Sequence, residues 1–158
     1  AKNWKGLRVL RDPRQVLVSD YFHHKGDHPD VAAVGWVWDQ LVRDKPLLRE
    51  LPEEQGLLHE LDNISRQVIE EQILAPMDDE RILTIKIEDF AQNPSEHMQR
   101  IAAFLEVPEI AGINWKNTHA NPDSSPWQTH FTSKLRAVFK ERYGQALIDL
   151  GYAEDLHW

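Results

Sequence analysis

Leu7-Arg8-Val9-Leu10-Arg11-Asp12-Pro13-Arg14-Gln15-Val16-Leu17-Val18-Ser19 is the stretch whose reading decides the fold. Leu7, Val9 and Leu10 form a short apolar, strand-like run. Asp12-Pro13 then ends it, because aspartate is a good helix N-cap and proline suits the first helical position. The pattern predicts a strand that stops where Arg11 begins and a helix that runs through Ser19. Two readings fit these residues. In one, Arg11 offers a bidentate fork to a phosphate, Ser19 eight positions later adds a hydroxyl donor, and the helix start favours an anion. In the other, the stretch is a plain strand-to-helix connection carrying two surface arginines, Arg11 and Arg14.

A chain of 158 residues fits one domain with a real core. Its 18 Lys plus Arg stand against 26 Asp plus Glu, a formal charge of -8, so the surface as a whole repels nucleic acid and any anion site must be local. With no cysteine there is neither a disulfide framework nor a thiolate metal site. The longest apolar stretch, Val31 to Trp38, is too short to span a bilayer, and the N-terminus shows no signal-peptide hydrophobic region. A soluble, cytoplasmic chain is expected, with neither nucleic acid nor membrane among its partners.

Working outward, the breakers between His23 and Pro29 stop the first helix. Val34, Trp36, Val37, Trp38 and Leu41 predict a packed helix within Val31 to Val42, after which Pro46 and Pro52 bracket a charged connector. Glu53 to Leu74, apolar at 57, 58, 61, 64, 68 and 69, predicts one long amphipathic helix. Ile82 to Ile87 reads as a central strand covered on both faces. Asn93-Pro94-Ser95-Glu96 starts a helix carrying Met98, Ile101, Ala102, Phe104 and Leu105. Val107 to Phe131 is a long connection with three prolines. Thr132 opens a last helix with Leu135, Val138, Phe139, Ala146, Leu147 and Leu150 on one side, and Gly151 ends it. Strands separated by long helices predict an α/β chain: a parallel sheet with flanking helices, binding ligands beyond the carboxyl ends of its strands, where Arg11 and Glu88 sit.

Three blocks, in order, carry a resemblance to the sulfotransferases that use 3'-phosphoadenosine 5'-phosphosulfate. Arg11, Pro13 and Ser19 followed by Tyr21-Phe22-His23 resemble the segment that holds the donor's 3'-phosphate. Ile85-Lys86-Ile87-Glu88-Asp89-Phe90, with Asn93-Pro94 and the helix ending Ile101-Ala102-Ala103-Phe104-Leu105, is similar to the family's strand, Glu-Asp turn and following helix. Trp127-Gln128-Thr129-His130-Phe131-Thr132, the last helix and Leu150-Gly151-Tyr152 resemble its tryptophan segment and C-terminal helix. The likeness implies the phosphate-loop hydrolase-like sulfotransferase fold, with residues 1–158 as a single domain forming the C-terminal portion. It also implies that Arg11 and Ser19 contact the 3'-phosphate.

The function so implied is transfer of a sulfuryl group from 3'-phosphoadenosine 5'-phosphosulfate to a hydroxyl or amine of a small-molecule acceptor, leaving adenosine 3',5'-bisphosphate. That chemistry needs the acceptor deprotonated as it attacks and positive charge on the leaving bridge oxygen. The family uses a histidine and a lysine, both upstream of the arginine-serine motif. The seven glycines form no loop with a Lys-Ser/Thr pattern, so the catalytic half is expected to be missing and no catalytic residue is assigned. Ala120-Asn121-Pro122 stand where the family's Arg-Lys-Gly phosphate contact would fall, leaving Lys116 as a substitute or Arg11 and Ser19 as the main grip. Losing one charge-assisted contact costs about 1.5 to 3 kcal/mol.

Blander roles accompany each of these residues. Glu88 and Asp89 suit capping of backbone amides, Trp127 suits a packing anchor, and His130 suits a cap or packing residue. His24 and His28 are four apart, but Gly26 interrupts them and no third ligand is indicated, so no metal is expected. Trp36, Trp38 and the 107 to 131 connection are candidates to surround the acceptor. The alternative function is a non-catalytic, reduced sulfotransferase-like module that binds a phosphate-bearing ligand or a protein partner. A fragment of a small kinase would leave the Glu-Asp turn and the tryptophan segment without a role.

Overall fold

The computed structural model describes residues 4–26, 36–73, 78–108 and 125–158. The chain divides into two compact units, Ala1–Arg11 with Pro76–Asp123, and Asp12–Ala75 with Ser124–Trp158.

The first unit holds the sheet. β1 (Gly6–Leu10) and β2 (Ile82–Lys86) pair in parallel, in a register that sets Gly6 against Ile82 and Leu10 against Lys86. Helices with a parallel pair make an α/β arrangement, as the sequence pattern requires. The expectation of a central strand covered on both faces is corrected: among the described residues β2 pairs with β1 alone, and of its five residues only Ile85 is buried. Ile87, expected in the strand, instead opens α5 (Ile87–Gln92) and is 40% exposed. Glu88 and Asp89 in the first turn favour a helix start there, because carboxylates are stabilised beside the unpaired N-terminal amides.

α6 (Pro94–Leu105) starts as read, with Pro94 at its first position, although Asn93 makes no side-chain capping bond. It ends at Glu106, whose φ of 59° is left-handed, a conformation costing a non-glycine residue about 1 kcal/mol. Compensation comes from the backbone and from Lys5. The Val107 N–H reaches Ala102 O at 3.1 Å, and Lys5 Nζ donates to both Phe104 O and Glu106 Oε1 at 2.7 Å.

The second unit is helical, and α1 (Pro13–Lys25) is its centre, packing against α2 (Trp36–Glu50), α3 (Glu53–Asp62) and α4 (Ile64–Ile73). Two expectations change here. α2 continues through Pro46 to Glu50 where a connector was expected. An interior proline costs about 3 kcal/mol, and burying one leucine returns about 1.5 to 3. With Leu41 5% exposed and Leu48 fully buried on one face, continuation wins.

The long helix over Glu53 to Leu74 is instead two helices, broken at Asn63. Asn63 Nδ2 donates to His59 O at 2.7 Å and its backbone N–H to Glu60 O at 3.1 Å, so side chain and backbone together end α3 at Asp62. The break preserves the buried set, since Leu57, Leu61, Ile64 and Ile69 all reach the core.

α7 (Ser133–Asp149) follows a 3-10 turn, Trp127–Thr129. Thr132 caps it by accepting from the Leu135 N–H at 3.2 Å. Leu135, Phe139, Tyr143 and Leu147 form its buried stripe. Gly151, at φ 69°, supplies the left-handed residue that lets the Tyr152 N–H return to Leu147 O at 2.7 Å. The core of this unit joins Leu17, Val18, Tyr21, Leu48, Leu57 and Leu61 to a run of edge-packed rings, Trp127, Phe131, Phe139, Tyr143 and Trp158.

Gly56 lets α3 approach α1, because a Cβ there would collide with the ring of Tyr21. Tyr21 is fully buried and cannot yield cheaply. Gly56→Ala is therefore expected to destabilise the chain by about 1 to 3 kcal/mol despite the better helix propensity of alanine. Urea unfolding followed by circular dichroism measures it, and an unchanged or raised midpoint would refute the close approach.

Candidate functional site

The parallel pairing sends both strands out at one edge. Arg11 follows Leu10 directly, and Glu88 lies two residues beyond Lys86. Arg11 is half-buried and closes the first unit, whereas Ser19, also half-buried, belongs to α1 of the second. Among the described residues a cavity of about 490 Å³ lies at the opposite edge of the pair, lined by Trp4, Lys5, Arg81, Leu105, Glu106 and Val107. Its two cations are already matched, Arg81 by Asp79 and Lys5 by Glu106. Arg81 holds the Asp79 carboxyl down to about 2.

Asp12 is the N-cap of α1, as read, but its carboxylate does more than cap. It accepts the Arg14 N–H at 2.9 Å and the Arg14 guanidinium through Nε at 2.9 Å and Nη2 at 2.7 Å. Arg14, expected on the surface, is only 4% exposed. Its guanidinium carbon lies 4.1 Å from the ring centre of Trp127 and 4.6 Å from that of Trp158, and Nη2 also donates to Tyr152 O at 2.7 Å. At the helix start Pro13 has no N–H and the Arg14 amide is taken by Asp12.

Gln15, Ser19 and Phe22 lie at i, i+4 and i+7, on one stripe of α1. Gln15 Oε1 accepts the Trp127 N–H at 3.0 Å, and the Phe22 ring meets His130 edge-on at 4.9 Å. Residues 125–130 thus run along the stripe that carries Ser19. Trp127 is the packing anchor its position suggested, 8% exposed, with Arg136 also 5.1 Å from its ring. His130 Nδ1 pairs with Glu53 Oε1 at 2.7 Å. Glu88 and Asp89 sit in the first turn of α5. The side chains of Trp36 and Trp38, together with His28, Lys116, His119 and Ala120-Asn121-Pro122, lie outside the described residues.

The sequence reading did not foresee a buried polar group behind α1. His24 Nδ1 donates to Glu60 Oε1 at 3.0 Å, and the Ser65 hydroxyl donates to Glu60 Oε2 at 2.9 Å while standing 3.2 Å from Asp20 Oδ2. Glu60 is 1% exposed. A glutamate beside Leu57 and Leu61 on the apolar side of α3 was the available signal.

The model of the sulfotransferase domain matches residues 1–125, and the chain belongs to the sulfotransferase family, a transferase family. The match includes the arginine-serine stretch and the Glu-Asp turn; the tryptophan segment lies beyond it. No curated protein and no solved structure matches the chain significantly. Among the described residues no helix is long and apolar enough to cross a membrane.

His24 gives a pH prediction. Burial lowers its pKa, but the hydrogen bond and charge of Glu60, with Asp20 on α1 and Asp44 on α2, outweigh burial and raise it above the ordinary 6.5. A raised folded value means that the stabilisation is complete below about pH 6.5 and is lost as pH rises through the folded value. Denaturant midpoints taken across neutral pH should fall with rising pH, and His24→Gln should remove that slope. An identical slope in the variant would refute the assignment.

Proposed function

We propose that this chain serves sulfuryl transfer from 3'-phosphoadenosine 5'-phosphosulfate to a hydroxyl or amine of a small-molecule acceptor, with Arg11 and Ser19 holding the donor's 3'-phosphate. In this reading residues 1–158 are a single domain that forms the C-terminal portion of a sulfotransferase-like domain of the phosphate-loop hydrolase-like class. The observation that carries it is the place of Arg11. It is the first residue past a strand of a parallel pair, at the edge where such sheets bind ligands, inside the stretch that the family model matches.

The residues fit a phosphate-bearing group. Arg11 supplies a permanently charged fork suited to two phosphate oxygens, and Ser19 supplies a neutral O–H donor two turns into the next helix. Both are part-exposed. When bound, the donor provides the sulfuryl group and leaves as adenosine 3',5'-bisphosphate. Pro13 has no N–H and the Arg14 amide is taken by Asp12, so in this reading Arg11 brings the full positive charge of this segment. These residues recognise and orient; no catalytic residue is assigned to the chain.

Titration calorimetry with adenosine 3',5'-bisphosphate tests the reading. Arg11→Ala should weaken binding about tenfold to a hundredfold, the loss of one charge-assisted contact. Ser19→Ala should weaken it less, as expected of a neutral donor. Equal affinity before and after Arg11→Ala would eliminate the site.

A further inference from the structure

We propose that the cavity where the two strands begin, lined by Trp4, Lys5, Arg81, Leu105, Glu106 and Val107, is a binding site for a small aromatic carboxylate. All six residues belong to the first unit. At about 490 Å³ the cavity lies within the roughly 300 to 1,000 Å³ usual for small-molecule sites. β1 carries the chain roughly 15 Å from there to Arg11, so this ligand is separate from the nucleotide proposed above.

The whole chain carries a charge of -8, yet the lining brings two cations, Lys5 and Arg81, against one carboxylate, Glu106. Each cation is matched in charge, but hydrogen-bonding capacity is left over. A guanidinium has five N–H donors, and Asp79 takes the Nε–H of Arg81 and one from Nη2. A lysine ammonium has three, and Lys5 gives two, to Phe104 O and Glu106 Oε1. Both walls thus keep N–H groups to donate. A carboxylate accepts from several of them at once and balances the single excess positive charge of the lining.

The rest of the cavity selects the body of the ligand. Trp4 is 45% exposed and stacked against Arg81, whose guanidinium carbon lies 4.3 Å from the ring centre. Leu105 and the exposed Val107 add aliphatic surface, so a flat apolar ring suits the space between the cations. These walls are held in place from within the unit. Asp79 and Trp4 fix Arg81, Phe104 O and Glu106 fix Lys5, and the Gly6 N–H joins the two segments by donating to Arg81 O at 2.8 Å. Side chains already ordered lose little more freedom on binding, which favours even a small ligand.

The experiment titrates 2-naphthoate, neutral 2-naphthamide and cationic 2-naphthylmethylammonium into the isotope-labelled full chain, following the amide NMR signals of residues 4–6, 81 and 105–107. Naphthoate should shift these signals with a dissociation constant on the order of 0.1 to 1 mM. The other two compounds should bind about tenfold more weakly. Arg81→Gln should weaken naphthoate about tenfold by removing the charged donors, and Val107→Asp by a similar factor through repulsion of the anion. Arg11→Ala, at the far end of the strand, should change its affinity by less than about twofold.

Equal binding of the three compounds overturns the inference, because it shows adhesion to apolar surface alone. A cooperatively folded Arg81→Gln or Val107→Asp that binds naphthoate within about twofold of the unaltered chain also overturns it. If Arg81→Gln does not fold, Val107→Asp decides by that comparison, since its side chain is exposed. Naphthoate that leaves these amide signals unmoved, or that loses affinity as much in Arg11→Ala as in Arg81→Gln, binds elsewhere and refutes the site.

Discussion

The guanidinium of Arg14 has been taken out of water, and a buried cation costs on the order of several kcal/mol unless its donors are met. Asp12 meets two of them and Tyr152 O another, while Trp127 and Trp158 cover the faces with aromatic quadrupoles. Those partners come from the start of α1, the 3-10 turn and the segment after α7. One charged side chain thereby ties together three parts of the second unit that are remote in sequence, and of its partners Asp12 alone among those named supplies the opposite charge.

The rest of that unit is arranged around α1, whose faces have different tasks. Leu17, Val18 and Tyr21 enter the core, where Gly56 permits α3 to close on Tyr21. His24 and Asp20 face the Glu60 and Ser65 pair, so a second buried polar group is satisfied by hydrogen bonds across α1, α3 and α4. Gln15, Ser19 and Phe22 form the remaining stripe, along which residues 125–130 run. Ser19 thus sits on the face of α1 that carries this polar turn segment.

Much of this was legible one residue at a time. The capping role of Asp12, the first-turn prolines at 13 and 94, the cap at Thr132 and the left-handed Gly151 are local properties, and each stands as the residue type requires. The parallel pairing was legible too, from two strand patterns separated by helices. Elements whose bounds depend on competing energies were not. Asn63 ends α3 by outcompeting the backbone for the His59 carbonyl, and α2 passes Pro46 because Leu41 and Leu48 return more than the lost hydrogen bond costs. Periodicity records neither balance.

Of the proposed site, the sequence by itself determined what residue type decides: a permanent cation at 11, a hydroxyl at 19, and a strand-to-helix turn between them. Residue type alone decides charge and donor capacity. Only the tertiary structure decided that Arg14, the same type three positions on, belongs to the interior. Burial of a charge depends on acceptors and aromatic faces brought from 138 positions away at Tyr152, and from Trp127 and Trp158. No local pattern contains them, since what makes an arginine stable out of water is the set of partners that folding assembles around it.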